Sequence, residues 1–203
     1  MNRFLIILLF LFPSLVFSQP RFETGIQLSG GWVFPGKASP VSNYKNGFSS
    51  GIDAYVAYHL WKPVYIISGV GYQYKEMQDL NEYSSGSGRG YGDGTTSTSI
   101  WEKFPHHYIR IPLRVKLSTR KGFFVQSGIE AGWLLNYDSE NENPEYNWAV
   151  GLGNRKHKLG WSLEYIQGFE DQGFGEQDGD HIRATIYRNR EIRLNFFYPL
   201  FSK

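Results

Sequence analysis

Few residues in this chain stand at spacings that chemistry could use. His106 and His107 are adjacent, Asp180 precedes His181, and Gly86, Gly88, Gly90, Gly92 and Gly94 recur at every second position. Paired histidines suggest a metal ligand set, an Asp-His pair suggests proton transfer, and a glycine run suggests a phosphate loop. None of the three has its required context. Neighbours in an extended chain point to opposite faces, so His106 and His107 cannot share one ion. No nucleophile motif accompanies Asp180-His181. The glycine run is not followed by Gly-Lys-Ser/Thr and has no strand-to-helix setting, so its composition reads as a flexible loop tip. Asp178-Gly179-Asp180 falls short of a calcium-binding EF-hand loop. The chain contains no cysteine, which removes disulfides and thiolate metal sites. The expectation is no catalytic residue, no metal and no cofactor.

A different polar set is more informative: Asp53, Arg110, Arg114, Lys116, Glu130, Glu164, Glu191 and Arg193. Each lies on the polar side of a segment that alternates with period two. Over 107–117, Ile109, Ile111, Leu113, Val115 and Leu117 share one face, and Tyr108, Arg110, Arg114 and Lys116 share the other. A helix would scatter those cations around its axis, whereas a strand sorts them. Segment 123–137 repeats the pattern, with Phe123, Val125, Ile129, Ala131, Trp133, Leu135 and Tyr137 against Gln126, Gly128, Glu130, Gly132 and Asn136. The same alternation marks 21–32, 48–60, 64–76, 146–154, 159–169 and a last stretch around 191–198. That makes eight predicted strands.

Their connections alternate in length. Lys62-Pro63 and the stretches 118–121 and 155–158 are short, and short polar connections make antiparallel hairpins. The stretches 33–47, 77–104, 138–145 and 170–189 are long. Short turns at one end and long loops at the other describe a transmembrane barrel. The architecture expected is all-β: an eight-stranded antiparallel up-and-down transmembrane β-barrel. Apolar faces run for about 9–11 positions, the length that crosses a bilayer at a tilt. Aromatic bands are expected where rings meet lipid headgroups. Trp32, Tyr72, Tyr74, Trp133, Tyr137 and Trp148 fall toward the loop ends, and Trp61, Trp161 and Tyr198 toward the turn ends.

The N-terminus reads as a secretory signal peptide over 1–18: Arg3, an apolar run over 4–12, then Pro13 and a small residue, Ser18, before Gln19. The run is too short for a spanning helix. The barrel domain is then expected over 19–203, about 185 residues in one domain. Aromatics at 17% and 23 glycines fit a β-rich, turn-rich chain. A net charge of +2 is too near balance to suggest a nucleic-acid partner.

The strand Tyr108-Ile109-Arg110-Ile111-Pro112-Leu113 with Lys116, and the next one, Gly128-Ile129-Glu130-Ala131-Gly132-Trp133-Leu134-Leu135, resemble the PorT-like outer-membrane β-barrel family. Gly69-Val70-Gly71-Tyr72, Gly151-Leu152-Gly153, Tyr165 before Gly168, and Asn189-Arg190 match as well. The resemblance covers the mature chain, and the loop around 84–99 departs from it. It implies a barrel inserted by the outer-membrane assembly machinery of a Gram-negative cell. Some members of the family act in or beside the type IX secretion and gliding apparatus.

An eight-stranded barrel has an interior that side chains can fill, and the eight polar residues above are expected there as a mutually neutralising network. The function expected is non-enzymatic, structural or interaction-based, with outer-membrane lipid, lipopolysaccharide and other envelope proteins as partners. Acidic loop residues (Asp138, Glu140, Glu142, Glu145, Glu170, Asp171, Glu176, Asp178, Asp180) and basic turn residues (Lys62, Arg120, Lys121, Arg155, Lys156, Lys158) are expected as solvated charge. The functional alternative is that the acids meet lipopolysaccharide through divalent cations and the basic turns meet an acidic periplasmic partner. The alternatives are an accessory of a secretion, gliding or transport machine, a membrane-embedded hydrolase or acyltransferase, and a soluble lipocalin-like barrel in the periplasm.

Overall fold

The computed structural model describes residues 21–37, 44–61, 63–84, 97–136, 144–170, 172–178 and 181–202. The expected signal peptide, Lys62, the glycine run, Tyr137, Asp138, Glu140, Glu142, Asp171 and Asp180 lie outside them. The described chain is built of strands: β1 (Arg21–Val33), β2 (Gly36–Lys37), β3 (Tyr44–Trp61), β4 (Val64–Ser84), β5 (Ser97–Ser118), β6 (Phe123–Leu134), β7 (Glu145–Asn154), β8 (Gly160–Gly168), β9 (Gln172–Asp178), β10 (His181–Arg188) and β11 (Arg190–Ser202).

Eight of them close into an antiparallel barrel in the order β1-β11-β8-β7-β6-β5-β4-β3. Closure is complete because β1 pairs with β3 on one side, from Arg21↔His59 to Val33↔Gly47, and with β11 on the other. A closed ladder leaves no strand edge around the wall, which a barrel in lipid requires.

The turns explain the sharp lower rim. In the β5–β6 turn, Thr119 N–H donates to Phe123 C=O at 2.7 Å and Gly122 N–H to Thr119 C=O at 3.1 Å. Gly122 adopts φ 86°, which only glycine reaches without strain. A Cβ there would also lie 2.6 Å from the Arg155 carbonyl oxygen, because Arg155 N–H donates to Gly122 C=O and locks two turns together.

Three of the connections expected as loops, 33–47, 77–104 and 170–189, are partly sheet. Beyond Glu76, β4 and β5 keep pairing from Met77↔Phe104 to Ser84↔Ser97, so this hairpin stands well above its neighbours. In the stretch 170–189, β9 and β10 form a second hairpin, and β2 joins it through Tyr187↔Lys37 and Arg188↔Gly36. The alternation Ile182, Ala184, Ile186 against Arg183, Thr185, Tyr187 carries that strand signal. β6 in turn stops at Leu134, short of the expected Tyr137. Its next residues leave the ladder where the Asn136 side chain takes over, accepting from His107 N–H at 2.8 Å and donating to Pro105 C=O at 2.7 Å.

The wall is inverted relative to a soluble barrel. One large apolar residue from each barrel strand, Leu28, Ile52, Val70, Leu113, Ile129, Val150, Leu163 and Leu194, is 39–53% exposed. Apolar surface that encircles a molecule has no place in water. It suits a hydrocarbon surround.

Candidate functional site

Strand phase carries the polar set inward. Asp53, Arg110, Arg114, Lys116, Glu130, Glu164, Glu191 and Arg193 are all buried, none more than 6% exposed. Glycine gives them room. Asp53, Gly71 and Arg110 lie in one row across β3, β4 and β5. Over that glycine Arg110 forks onto Asp53, Nε to Oδ1 at 2.7 Å and Nη2 to Oδ2 at 2.5 Å. In the row Gln126, Gly151 and Glu164, Gln126 Nε2 donates to Glu164 Oε1 at 2.8 Å over the second glycine. A Cβ on Gly71 would sit 1.8 Å from Asp53 Oδ1 and 2.7 Å from the Ile52 carbonyl oxygen. Gly71→Ala is therefore expected to push the fork apart and cost about 1–3 kcal/mol, seen as a lower temperature at which the folded gel band converts to the unfolded one.

Glu130 is the hub. It accepts from Arg114 Nη2 at 3.1 Å and from Arg193 Nη1 and Nη2 at 3.0 and 3.2 Å, and it lies 3.8 Å from Arg110 Nη1. Arg193 also forks onto Glu191, at 2.9 and 3.0 Å, and Glu191 accepts from Gln73 and from the Ser49 hydroxyl. Arg114 bridges onward to Glu164 at 3.2 Å, where Asn195 donates to the second oxygen at 3.0 Å. Charges this deep persist only when paired and hydrogen-bonded.

Three findings revise the expected network. Glu145, assigned to a solvated outer loop, is the first residue of β7 and is buried. It shares the inward phase of Asn147 and pairs with Lys75 at 3.2 Å, with Asn147 and Asn189 donating to the same oxygen at 2.8 and 2.6 Å. Lys75 and Glu145 thus extend the set, which among the described buried residues numbers five acids and five bases. Lys116 is not part of the ion-pair web. Its ammonium lies 4.8, 5.1 and 5.8 Å from the ring centres of Tyr65, Phe124 and Phe197, a cation–π cage near the turn end. Arg155, expected as a free basic turn, is half-buried at the lower mouth. Both its bonds to the Glu23 carboxylate, at 2.5 and 2.6 Å, stand beside the Tyr55 hydroxyl, which donates to Glu23 at 3.0 Å.

On the outer wall most of the expected band aromatics sit near strand ends, but Tyr72 and Tyr74 stand mid-way along β4 because that strand continues to Ser84. Trp32, Trp133 and Trp148 fall at the loop ends of β1, β6 and β7, and Trp61, Trp161 and Tyr198 at the turn ends of β3, β8 and β11. His106 is buried inside and His107 faces out, where its ring meets Tyr72 and Tyr74. The two histidines are on opposite faces, as their adjacency requires. Among the described residues no group of three or more His, Asp or Glu side chains is placed to hold a metal ion.

No protein-family model matches this chain, and no curated protein matches it. Solved structures do resemble it. The outer membrane protein AlkL, determined by solid-state NMR in DMPC bilayers, is 13% identical, with a TM-score of 0.43 and 90% of each chain covered. The Neisserial surface protein A (NspA) is 10% identical at a TM-score of 0.39, covering 88% of this chain and 96% of that one. The Yersinia pestis protein Ail is 11% identical at 0.30, covering 84% and 99%. The strand register makes this chain a closed eight-stranded antiparallel barrel.

Proposed function

We propose that this chain is an integral outer-membrane protein that acts as a structural or interaction scaffold, without catalysis, and whose lumen is closed by its own side chains. The carrying observation is the balance of five buried acids and five buried bases, nine of them joined by ion pairs. A water-filled pore needs unobstructed polar space, and here guanidinium groups from β5 and β11 meet carboxylates from β3, β6 and β8 across it. The exposed apolar wall favours a bilayer over a soluble periplasmic barrel.

Planar-bilayer recording tests the closed lumen. The reconstituted protein is expected to give no stable ohmic steps. Regular steps from the unmodified protein would mean that the network opens a conduit, and transport would become the leading function.

A second reading rests on the likeness of the β5–β6 hairpin to PorT-like barrels, through Tyr108-Ile109-Arg110-Ile111-Pro112-Leu113 and Lys116. It makes the chain an accessory of a secretion or gliding machine. Stable co-purification with envelope proteins in mild detergent favours it, and a protein that always purifies alone counts against it.

A further inference from the structure

Arg190 opens β11 and takes the outer face, because Glu191 beside it and Ile166 of β8 both point into the barrel. It pairs with Gln167 of β8, and Gln167 pairs with Trp148 of β7. On its other side Phe34 N–H donates to the Arg190 carbonyl at 2.9 Å. The four residues form one row at the loop end of the wall: aromatic, amide, guanidinium, aromatic. Tyr165, Ile192 and Trp32 lie in the row beneath. Trp148 meets the Tyr165 ring edge-on at 5.5 Å, and Phe34 lies 6.3 Å from it.

Inside this collar the free polar groups only donate. The Tyr165 hydroxyl donates to Gln167 Oε1 at 2.8 Å, and the Gln167 amide N–H groups meet no acceptor among the described residues. Arg190 is half-buried, and among the described residues its guanidinium meets neither a carboxylate nor any other acceptor. Its Nε is buried and unbonded. The guanidinium lies against Gly36, where a Cβ would come 3.1 Å from Nε and 3.2 Å from Cζ, so glycine makes its room. A buried donor left unmade is costly. A guanidinium fork beside an amide donor suits the paired oxygens of an anion such as phosphate.

Position selects the source of that anion. Trp148 and Phe34 share the guanidinium's row, and rings of this kind settle at the headgroup level of a bilayer. Lipid phosphates lie at the same level. Below the site the exposed apolar side chains Ile192, Val150 and Trp32 can receive the lipid's chains.

We infer that Arg190 and Gln167, within the Phe34–Tyr165–Trp148 collar, bind the phosphate of a lipid in the loop-side leaflet. The inference rests on the outer-membrane reading above and names a lipid contact on the barrel wall, separate from any contact through acidic loops. Arg190 would hold the phosphate oxygens, Gln167 would donate to one of them, and the rings would pack on the glycerol and upper chains.

Native mass spectrometry of the full chain released from micelles tests this, with phosphatidylglycerol and diacylglycerol of the same chains as probes. The unmodified protein is expected to retain phosphatidylglycerol over diacylglycerol. Arg190→Gln should lower retention of phosphatidylglycerol about fivefold. Gln167→Leu, which leaves the charge unchanged, should lower it about threefold. Arg120→Gln, on the exposed turn at the opposite rim, should leave it unchanged. Equal retention of phosphatidylglycerol by the unmodified and Arg190→Gln proteins would overturn the site, and so would an equal loss in Arg120→Gln. Equal retention of the two lipids by the unmodified protein would overturn phosphate as the ligand, and displacement by inorganic phosphate would overturn a lipid as its source. Failure of the underlying reading looks different: the unmodified protein would then be soluble and show no heat-shifted gel band.

Discussion

Replacing Glu130 with glutamine is expected to destabilise the folded barrel by about 3–5 kcal/mol. The residue is 2% exposed and its carboxylate stands among three guanidinium groups, accepting from Arg114 and Arg193 with Arg110 at 3.8 Å. The neutral amide is nearly the same size, so little of the loss comes from packing. It comes from leaving the surrounding cations without their shared counter-charge in a site that water does not solvate. Glutamine also turns one acceptor into a donor, aimed at groups that only donate. Urea titration in micelles would show a lower midpoint with an unchanged slope. A Glu130→Gln protein within 1 kcal/mol of the parent would mean that the hub carries little of the interior's stability.

The second large effect separates the two faces of one strand. Leu113 is 46% exposed on the outer wall, between Ser68 of β4 and Ile129 of β6. Leu113→Arg sets a cation against hydrocarbon near mid-depth, where the cost is about 2–4 kcal/mol. Insertion into liposomes should fall, with more of the protein in the unfolded gel band. The adjacent substitution Arg114→Gln should leave insertion largely intact. Glu164 keeps Gln126 and Asn195 as donors, and Glu130 keeps Arg193. Equal insertion of the two variants would invalidate the assignment of inner and outer faces.

Much of this architecture is written in local periodicity. In 107–117 the rule that alternate residues share a face is enough to send Arg110, Arg114 and Lys116 inward and Leu113 outward, whatever the rest of the chain does. Pairing across the lumen is a different matter, because it depends on the height of strands that are distant in sequence. The Lys116 cage needs Tyr65 of β4, Phe124 of β6 and Phe197 of β11 at one level, and no single segment announces that. Glu145 was obscured by its acidic neighbours, Asp138, Glu140 and Glu142, although its two-residue offset from Asn147 matches the inward phase of β7. The upper β4–β5 hairpin leads into a glycine- and serine-rich stretch whose composition speaks for a loop, so strand pairing as far as Ser84↔Ser97 had only a weak local signal.

The ion pairs that span the lumen join strands that are not neighbours: Arg193 of β11 to Glu130 of β6, Arg114 of β5 to Glu164 of β8, and Lys75 of β4 to Glu145 of β7. A backbone ladder tolerates a slip of two residues, since every hydrogen bond can re-form and every side chain keeps its face. The braces do not tolerate it. Such a slip of β6 would carry Glu130 about 7 Å along the barrel, out of reach of all three arginines while the ladder around it looked intact. The charged interior therefore acts as a proofreader of assembly, penalising mis-threaded barrels that main-chain pairing alone would accept.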